Sequence, residues 1–260
     1  MIQILLHSSK TMRLPAMSFK VLGTPQCIER AESLVSQYRS LPVARLAKIM
    51  QVSETKAAVV QQLYAQWSTK AADQVPAVDA FVGDIYSGLQ VQMWSQDDRR
   101  YAHEHLVILS GLYGALRACD GIMPYRLEMG YKLPDGSSLY SFWGDAIASI
   151  LARDTTVIVN LSAVEYTKAV LPFVDKPIVS PKFLTISPKT NEPVFVTVHA
   201  KVARGAFARW MIQARIDKPE QLRQFTDLGY AYDEERSTDV QPVFVCREFG
   251  GIGLSVRLTK

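Results

Sequence analysis

Ile2-Gln3-Ile4-Leu5-Leu6-His7-Ser8-Ser9-Lys10-Thr11 reads as a buried strand that runs into a polar turn, with Lys10 just beyond the strand's C-terminal end. The same grammar returns twice. Leu106-Val107-Ile108-Leu109 enters the glycine-bearing turn Ser110-Gly111-Leu112-Tyr113-Gly114. Val157-Ile158-Val159 stops at Asn160, after which Ser162-Ala163-Val164-Glu165 has the spacing of a capping box that opens a helix. Strand, polar turn and helix N-terminus in succession is the geometry by which open α/β sheets place ligand crevices outside the carboxyl ends of their strands. Lys10, Ser110 and Asn160 each follow such a strand.

Outward from these segments, Thr24-Pro25 predicts a helix start, with Thr as cap, Pro at the first position and an apolar face of Cys27, Ala31, Leu34 and Tyr38. Two helices are expected from Pro42 to about Met50 and from about Glu54 to Trp67, broken at Gln51-Val52-Ser53. Val78 to Val82 reads as a short strand, and Gly83-Asp84 starts a helical turn through Leu89. Ser95-Gln96-Asp97-Asp98 resembles a cap with acid in the first turn, where the helix dipole favours it. Ile178 to Ser187 and Val194 to His199 flank Pro188–Pro193 as a hairpin with a longer loop. A helix from about Ala200 to Ile216, another near Pro219 and a strand around Val243–Cys246 complete the outline. Strands and helices mix without strict alternation, and no repeat or linker divides the chain, so the expectation is an α/β (mixed α+β) fold in one domain spanning residues 1–260.

The 260 residues are 48% hydrophobic, enough to bury a sizeable core. Against 25 Asp and Glu stand 29 Lys and Arg, a formal net charge of +4 that permits a polyanion partner through a local patch without requiring one. Cys27, Cys119 and Cys246 lie far apart and are odd in number, supplying neither a disulfide framework nor a paired metal-ligand spacing, so a reduced cytoplasm is the natural reading. The apolar start Met1–Leu6 is too short for a signal h-region, and no run approaches the ~20 apolar residues that cross a bilayer. No membrane partner is expected.

Leu46 to Ala58 has the spacing of a helix-hairpin-helix, two helices joined by a tight turn with one inserted apolar residue, here Val52. Such a hairpin binds DNA without reading sequence when N–H groups at the second helix's N-terminus meet a phosphate, and Ser53 and Lys56 would be those contacts here. Gln51 and Ser53 stand where glycine is usual, and an ordinary helix pair capped by Ser53 fits the same spacing. Lys201 and Arg204, three apart, share a helix face that is either solvated or an anion site. Gly205 beside them suggests a close approach by another backbone or by a ligand, since Gly inside a helix costs about 1 kcal/mol relative to Ala. Arg126 and Glu128 have the makings of a structural ion pair, and Asp84, Asp145 and Glu165 each have a role available at a helix start. His103 and His105, two apart, do not make a chelating pair; no Walker loop, GxGxxG or GxSxG is present, and neither metal nor cofactor is expected.

At these residues the chain resembles the YaaA family of bacterial peroxide-stress proteins, collinearly over nearly its whole length. Lys10-Thr11 sits where the family has Ser-Pro-Ala-Lys-Thr, although His7-Ser8-Ser9 replaces the first three residues. Phe81 to Leu89, Leu109 to Gly114, Arg117, Asp120, Pro124 to Gly130 and Phe142-Trp143-Gly144-Asp145 continue the match. So do Asn160-Leu161, Glu165-Tyr166, Lys168, Ala203-Arg204-Gly205 and Gly229-Tyr230. The resemblance implies a single compact domain with a mixed sheet, surrounding helices and a helix-hairpin-helix-like element at about 42–67. It also implies a positively charged cleft, DNA binding, and a role in surviving hydrogen peroxide by limiting free intracellular iron.

The main expectation is therefore a cytoplasmic DNA-binding stress protein that responds to DNA structure more than to sequence. Its cleft cations would be Lys10, Arg126, Lys168, Lys201, Arg204 and Arg209, and the Ser53/Lys56 turn would add a phosphate contact. The alternative is an enzyme on a small anionic or nucleotide-like substrate in the same cleft, bordered by Asn160. There Glu165 is the acid or base, Lys168 and Arg204 hold the anion, and Tyr113 or Tyr125 orients or shields it. A purely structural protein would explain the helix pair but not the concentration of Lys, Arg, Asn and Glu at turns.

Overall fold

The computed structural model describes residues 1–14, 19–151 and 154–251. Along the first half run β1 (Ile2–His7), β2 (Thr11–Met12), α1 (Ile28–Arg39), α2 (Val43–Met50), α3 (Glu54–Gln66), β3 (Val75–Pro76), α4 (Ala77–Ala80), β4 (Phe81–Val82), α5 (Asp84–Leu89) and α6 (Gln96–His105). There follow β5 (Leu106–Ser110), β6 (Gly114–Arg117), β7 (Gly121–Ile122), α7 (Leu139–Trp143), β8 (Val157–Asn160) and α8 (Val164–Thr167). The last part holds β9 (Ile178–Val179), β10 (Lys182–Ile186), β11 (Pro193–Val194), α9 (Thr197–Gln213), β12 (Tyr230–Tyr232) and β13 (Val243–Cys246).

The opening stretch is the middle strand of a five-stranded sheet ordered β6-β5-β1-β8-β9. Leu5 pairs with Val107 on one side and Asn160 on the other, both in parallel register. A strand flanked in this way is covered on both faces, which is why Ile2 to Leu6 are buried without alternation. The three runs with the common grammar therefore lie side by side, and His7, Ser110 and Asn160 end on one edge. A second sheet, β11-β10-β13-β12, is held by an aromatic cluster of Phe183, Phe207, Phe225, Tyr230 and Phe244. One contiguous core joins the two sheets, so the described residues form a single mixed α/β domain. Among them no helix is long and apolar enough to cross a membrane.

Several elements begin or end elsewhere than the sequence suggests. The first helix starts at Ile28, because Thr24-Pro25 serves a turn in which Ile28 N–H reaches the Pro25 carbonyl at 3.1 Å. Within Val78–Val82 only Phe81 and Val82 form a strand. Ala77–Ala80 coils into one helical turn, presenting Asp79 to a two-pronged ion pair with the buried Arg99 at 2.8 and 3.0 Å. The Ile178–Ser187 run splits between the two sheets, and the Pro193 strand stops after two residues as α9 begins at Thr197. The segment at Pro219 is a 3₁₀ helix. Ser95 does cap α6, with Asp98 completing the box, and α2 and α3 are joined by Gln51 in the left-handed region with Val52 half-buried behind it.

The approach anticipated at Gly205 is to another backbone. A Cβ there would lie 1.8 Å from the Ile85 carbonyl oxygen, and one on Gly88 would lie 2.0 Å from that of Val202. Helices α5 and α9 thus cross with their main chains touching, each offering a glycine to the other's carbonyl. Because no side chain can yield, Gly205→Ala is expected to destabilise the fold by about 1–3 kcal/mol or more, read as a lower urea midpoint at unchanged slope. Wild-type stability in this variant would contradict the interlock.

Candidate functional site

At the carboxyl edge of the central sheet lies a cavity of about 480 Å³. β1 supplies its floor through His7 and the turn Ser8-Ser9-Lys10. Val82 to Tyr86 form one wall and Ala163, Glu165 and Tyr166 another, while Lys201 reaches in from α9. From His7 to Ser9 the chain is pinned at every residue. Ser8 N–H donates to the Leu109 carbonyl at 2.8 Å, Ser9 Oγ donates to the Val82 carbonyl, and the Tyr86 hydroxyl donates to the His7 carbonyl at 2.9 Å. Beneath it, Ser110 Oγ and the Tyr125 hydroxyl pair at 2.6 Å, and Ser8 Oγ lies 3.4 Å from the Tyr166 hydroxyl.

Two of the expected cations already share one carboxylate. The buried Glu128 carboxylate takes Lys10 Nζ at 2.6 Å and Arg126 at 3.4 Å, and accepts from the Tyr131 hydroxyl. Burial and then the Glu128 carboxylate push the Tyr131 phenol up to about 12. Lys10, Arg126 and Glu128 together leave one positive charge where the sequence shows two.

The opposite side is differently balanced. Lys201 is exposed and Arg204 half-buried, and neither has an ion pair or hydrogen bond among the described residues. Burial lowers the Arg204 guanidinium from its ordinary value, a guanidinium staying charged all the same. Both charges act on His7, whose Nδ1 accepts the Ala163 N–H at 3.1 Å and lies 3.3 Å from Ser162 Oγ. These contacts explain why no capping box forms at α8. The Ser162 N–H is taken by Asn160 Oδ1 at 3.0 Å and its hydroxyl by His7, so Ala163 becomes the N-cap without side-chain assistance. Glu165 is released from the helix start, and its Oε1 accepts the Gly130 N–H at 2.9 Å on the cavity wall.

Of the expected site residues, Lys10, Glu165 and Lys201 line the cavity; Arg126 pairs with Glu128 on its wall, and the Arg204 charge acts on His7. Asn160 spends its side chain on Ser162 and on Ser180, 3.3 Å away. Lys168 is exposed at the end of α8, and Ser53 and Lys56 sit at the α2–α3 turn, where Ser53 Oγ accepts the Lys56 N–H at 3.4 Å. Arg209 faces a separate cavity, held by Asp227 at 2.7 Å and by Gln90. Tyr113 and Tyr125 lie in the core behind the floor. His7, Glu128, Tyr86 and Tyr166 join the site without having been proposed as site residues. His7 was signalled by its place at the end of β1, and Tyr86, Glu128 and Tyr166 fall in stretches that the family resemblance matched. Among the described residues no group of three His, Cys, Asp or Glu side chains forms a metal-binding arrangement.

Comparison with known proteins places this architecture. A family model described as "Peroxide stress protein YaaA" matches residues 2–236. A UPF0246 protein of Salinispora tropica is 51% identical over 98% of this chain and 97% of its own length. UPF0246 proteins of Ralstonia nicotianae and Cereibacter sphaeroides are 43% and 42% identical, each over 85% of this chain and covering 89% and 88% of their own lengths.

The site makes stability depend on pH in a defined sense. Burial, reinforced by Arg204 and then Lys201, pulls the His7 imidazole from 6.5 down to about 3, so between these values the unfolded chain binds a proton that the folded chain refuses. The contribution of neutral His7 is complete above pH 6.5 and is lost as the pH falls towards about 3. Asp120 slopes the other way: burial raises its carboxyl from 3.8 to about 6, so its contribution is present at low pH and lost as the pH rises through about 6. The test is therefore a difference: between about pH 7.5 and about pH 4.5 the wild type should lose over 1 kcal/mol more stability than His7→Gln, roughly, in urea titrations. Equal losses would mean that folded His7 takes up its proton normally.

Proposed function

Because the chain belongs to the YaaA family of peroxide-stress proteins, we propose that it serves that response by holding a phosphate-bearing ligand in the cleft between β1, α5, α8 and α9. The observation that carries this is the pair Lys201 and Arg204. A half-buried guanidinium without a carboxylate partner among the described residues is costly, and the natural remedy is a counter-ion delivered by a ligand. The planar fork of Arg matches phosphate oxygens, and Lys201 adds a point charge at the mouth. The cavity volume of about 480 Å³ suits a nucleotide-sized molecule. If the ligand is turned over, Glu165 is the acid or base, its orientation fixed by the Gly130 N–H.

Binding to DNA is the second reading, and the α2–α3 turn favours it. Taken as a helix-hairpin-helix-like element, it presents Lys56 with no ion pair among the described residues, beside an N-terminal turn capped by Ser53 that a backbone phosphate would have to approach. Lys168, Lys201 and Arg204 then extend the contact, and recognition follows DNA structure rather than sequence. On either reading the protein acts in the cytoplasm, and limiting iron-dependent oxidative damage is the physiological outcome.

Fluorescence titrations against a mononucleotide, duplex DNA and bubble-containing DNA at several salt concentrations separate these readings. Lys201→Ala and Arg204→Ala are each expected to weaken nucleotide binding about tenfold or more, the scale of a charge-assisted hydrogen bond. DNA binding should fall with salt at a log–log slope near −0.9 per neutralised phosphate. DNA binding without nucleotide binding would favour the second reading, and absence of both would overturn the proposal.

A further inference from the structure

β1 ends on a histidine with one ring nitrogen committed and the other free. Nδ1 accepts the Ala163 N–H, and the ring stacks on Tyr166 with centroids 4.9 Å apart and planes inclined by 24°. A nitrogen that accepts from a backbone N–H carries no proton of its own, so the hydrogen-bond network assigns the proton of the neutral ring to Nε2. Nε2 has no partner among the described residues, and the ring lines the same cavity as Lys201.

We infer that His7 Nε2–H is a fixed, uncharged hydrogen-bond donor to a tetrahedral oxyanion, of the phosphate or sulfate type, that also meets Lys201, with Arg204 supplying charge from behind. This rests on the reading of Lys201 and Arg204 as an anion site and adds a specificity element to it. A second proton on the ring would have to displace the Ala163 N–H from Nδ1 and would stand beside two cations, so the donor does not become an imidazolium over the physiological range. By the same token His7 is not a general base, since one nitrogen is occupied and the other is already protonated. The titratable groups around it are Lys201 and Arg204 on α9, Glu165 and Tyr166 on α8, Asp84 and Tyr86 on α5, and Lys10 and Glu128 on the wall. The ligand group best suited to a neutral donor flanked by cations is acceptor-only and anionic, which excludes an ammonium or amide-donor group at this subsite.

Inorganic sulfate is the probe, because its charge is constant across the pH range tested. Calorimetric titration should give an affinity that changes less than about twofold between about pH 5.5 and about pH 7.5, since no proton is taken up at His7. His7→Phe, which keeps a stacking ring but no donor, should weaken binding about tenfold, and His7→Gln, whose amide N–H reaches similarly, should recover most of it. On the wild type itself, long-range proton–nitrogen spectra should show an unprotonated Nδ1 and an Nε2–H resonance that moves downfield as sulfate binds. That measurement stands even where a variant does not fold. Affinity rising steeply with acidity, or sulfate binding that leaves the Nε2–H resonance unmoved and is unchanged by His7→Phe, would overturn the inference while a loss in Lys201→Met preserved the anion site. Sulfate that fails to bind, or binds equally well in Lys201→Met, would sink both.

Discussion

The site depends on a contact in which no side chain takes part. Helices α5 and α9 cross at Gly88 and Gly205 with each backbone against the other's carbonyl, closer than any Cβ would permit. Phe207 fastens α9 to the second sheet through Phe183 and Phe244, while α5 follows β4, whose Val82 carbonyl holds the turn after β1. The glycine crossing therefore ties the second sheet to the carboxyl edge of the first. It sets Lys201 and Arg204, within one turn of Gly205, against the end of β1.

Around that frame the charges sort themselves by partner. Glu128 draws Lys10 and Arg126 to one end of the cavity, and Asp227 draws Arg209 to a different surface. Lys201 and Arg204 are left unpaired by protein groups among the described residues. The His7 ring between them and α8 is kept neutral by burial, by those same cations and by a backbone N–H on its only free lone pair. The proposed anion subsite rests on these local, unpaired cations rather than on the charge of the whole cavity, whose lining also carries Asp84, Glu128 and Glu165; donors fixed in advance need no reorganisation when a ligand arrives. The neutral ring matters here because a third cation would cost stability without a ligand present.

The sheet was legible because burial decides it: the apolar runs at Ile2–Leu6, broken only by the buried Gln3, and at Leu106–Leu109 and Val157–Val159 belong to strands covered on both faces, and all three became neighbours. Ser95 was legible because its capping is local. Where distant groups compete for a local bond, the reading failed. The Ser162–Glu165 spacing fits a capping box, yet Asn160 and His7 take the groups that box requires, His7 from 155 residues away. The Val78 run coils because Arg99, twenty residues on, claims Asp79. Counting cations likewise could not show which of them Glu128 and Asp227 would neutralise, so Arg209 looked equivalent to Arg204 until their partners were visible.

The most direct measurement is a crystal structure of the protein soaked with tungstate, a heavy tetrahedral oxyanion located by its anomalous signal. The account predicts a peak within hydrogen-bonding reach of Lys201 Nζ, the Arg204 guanidinium or His7 Nε2, with Glu128 still holding Lys10. An empty cavity with Arg204 paired to a protein carboxylate, and tungstate bound only elsewhere, would contradict it.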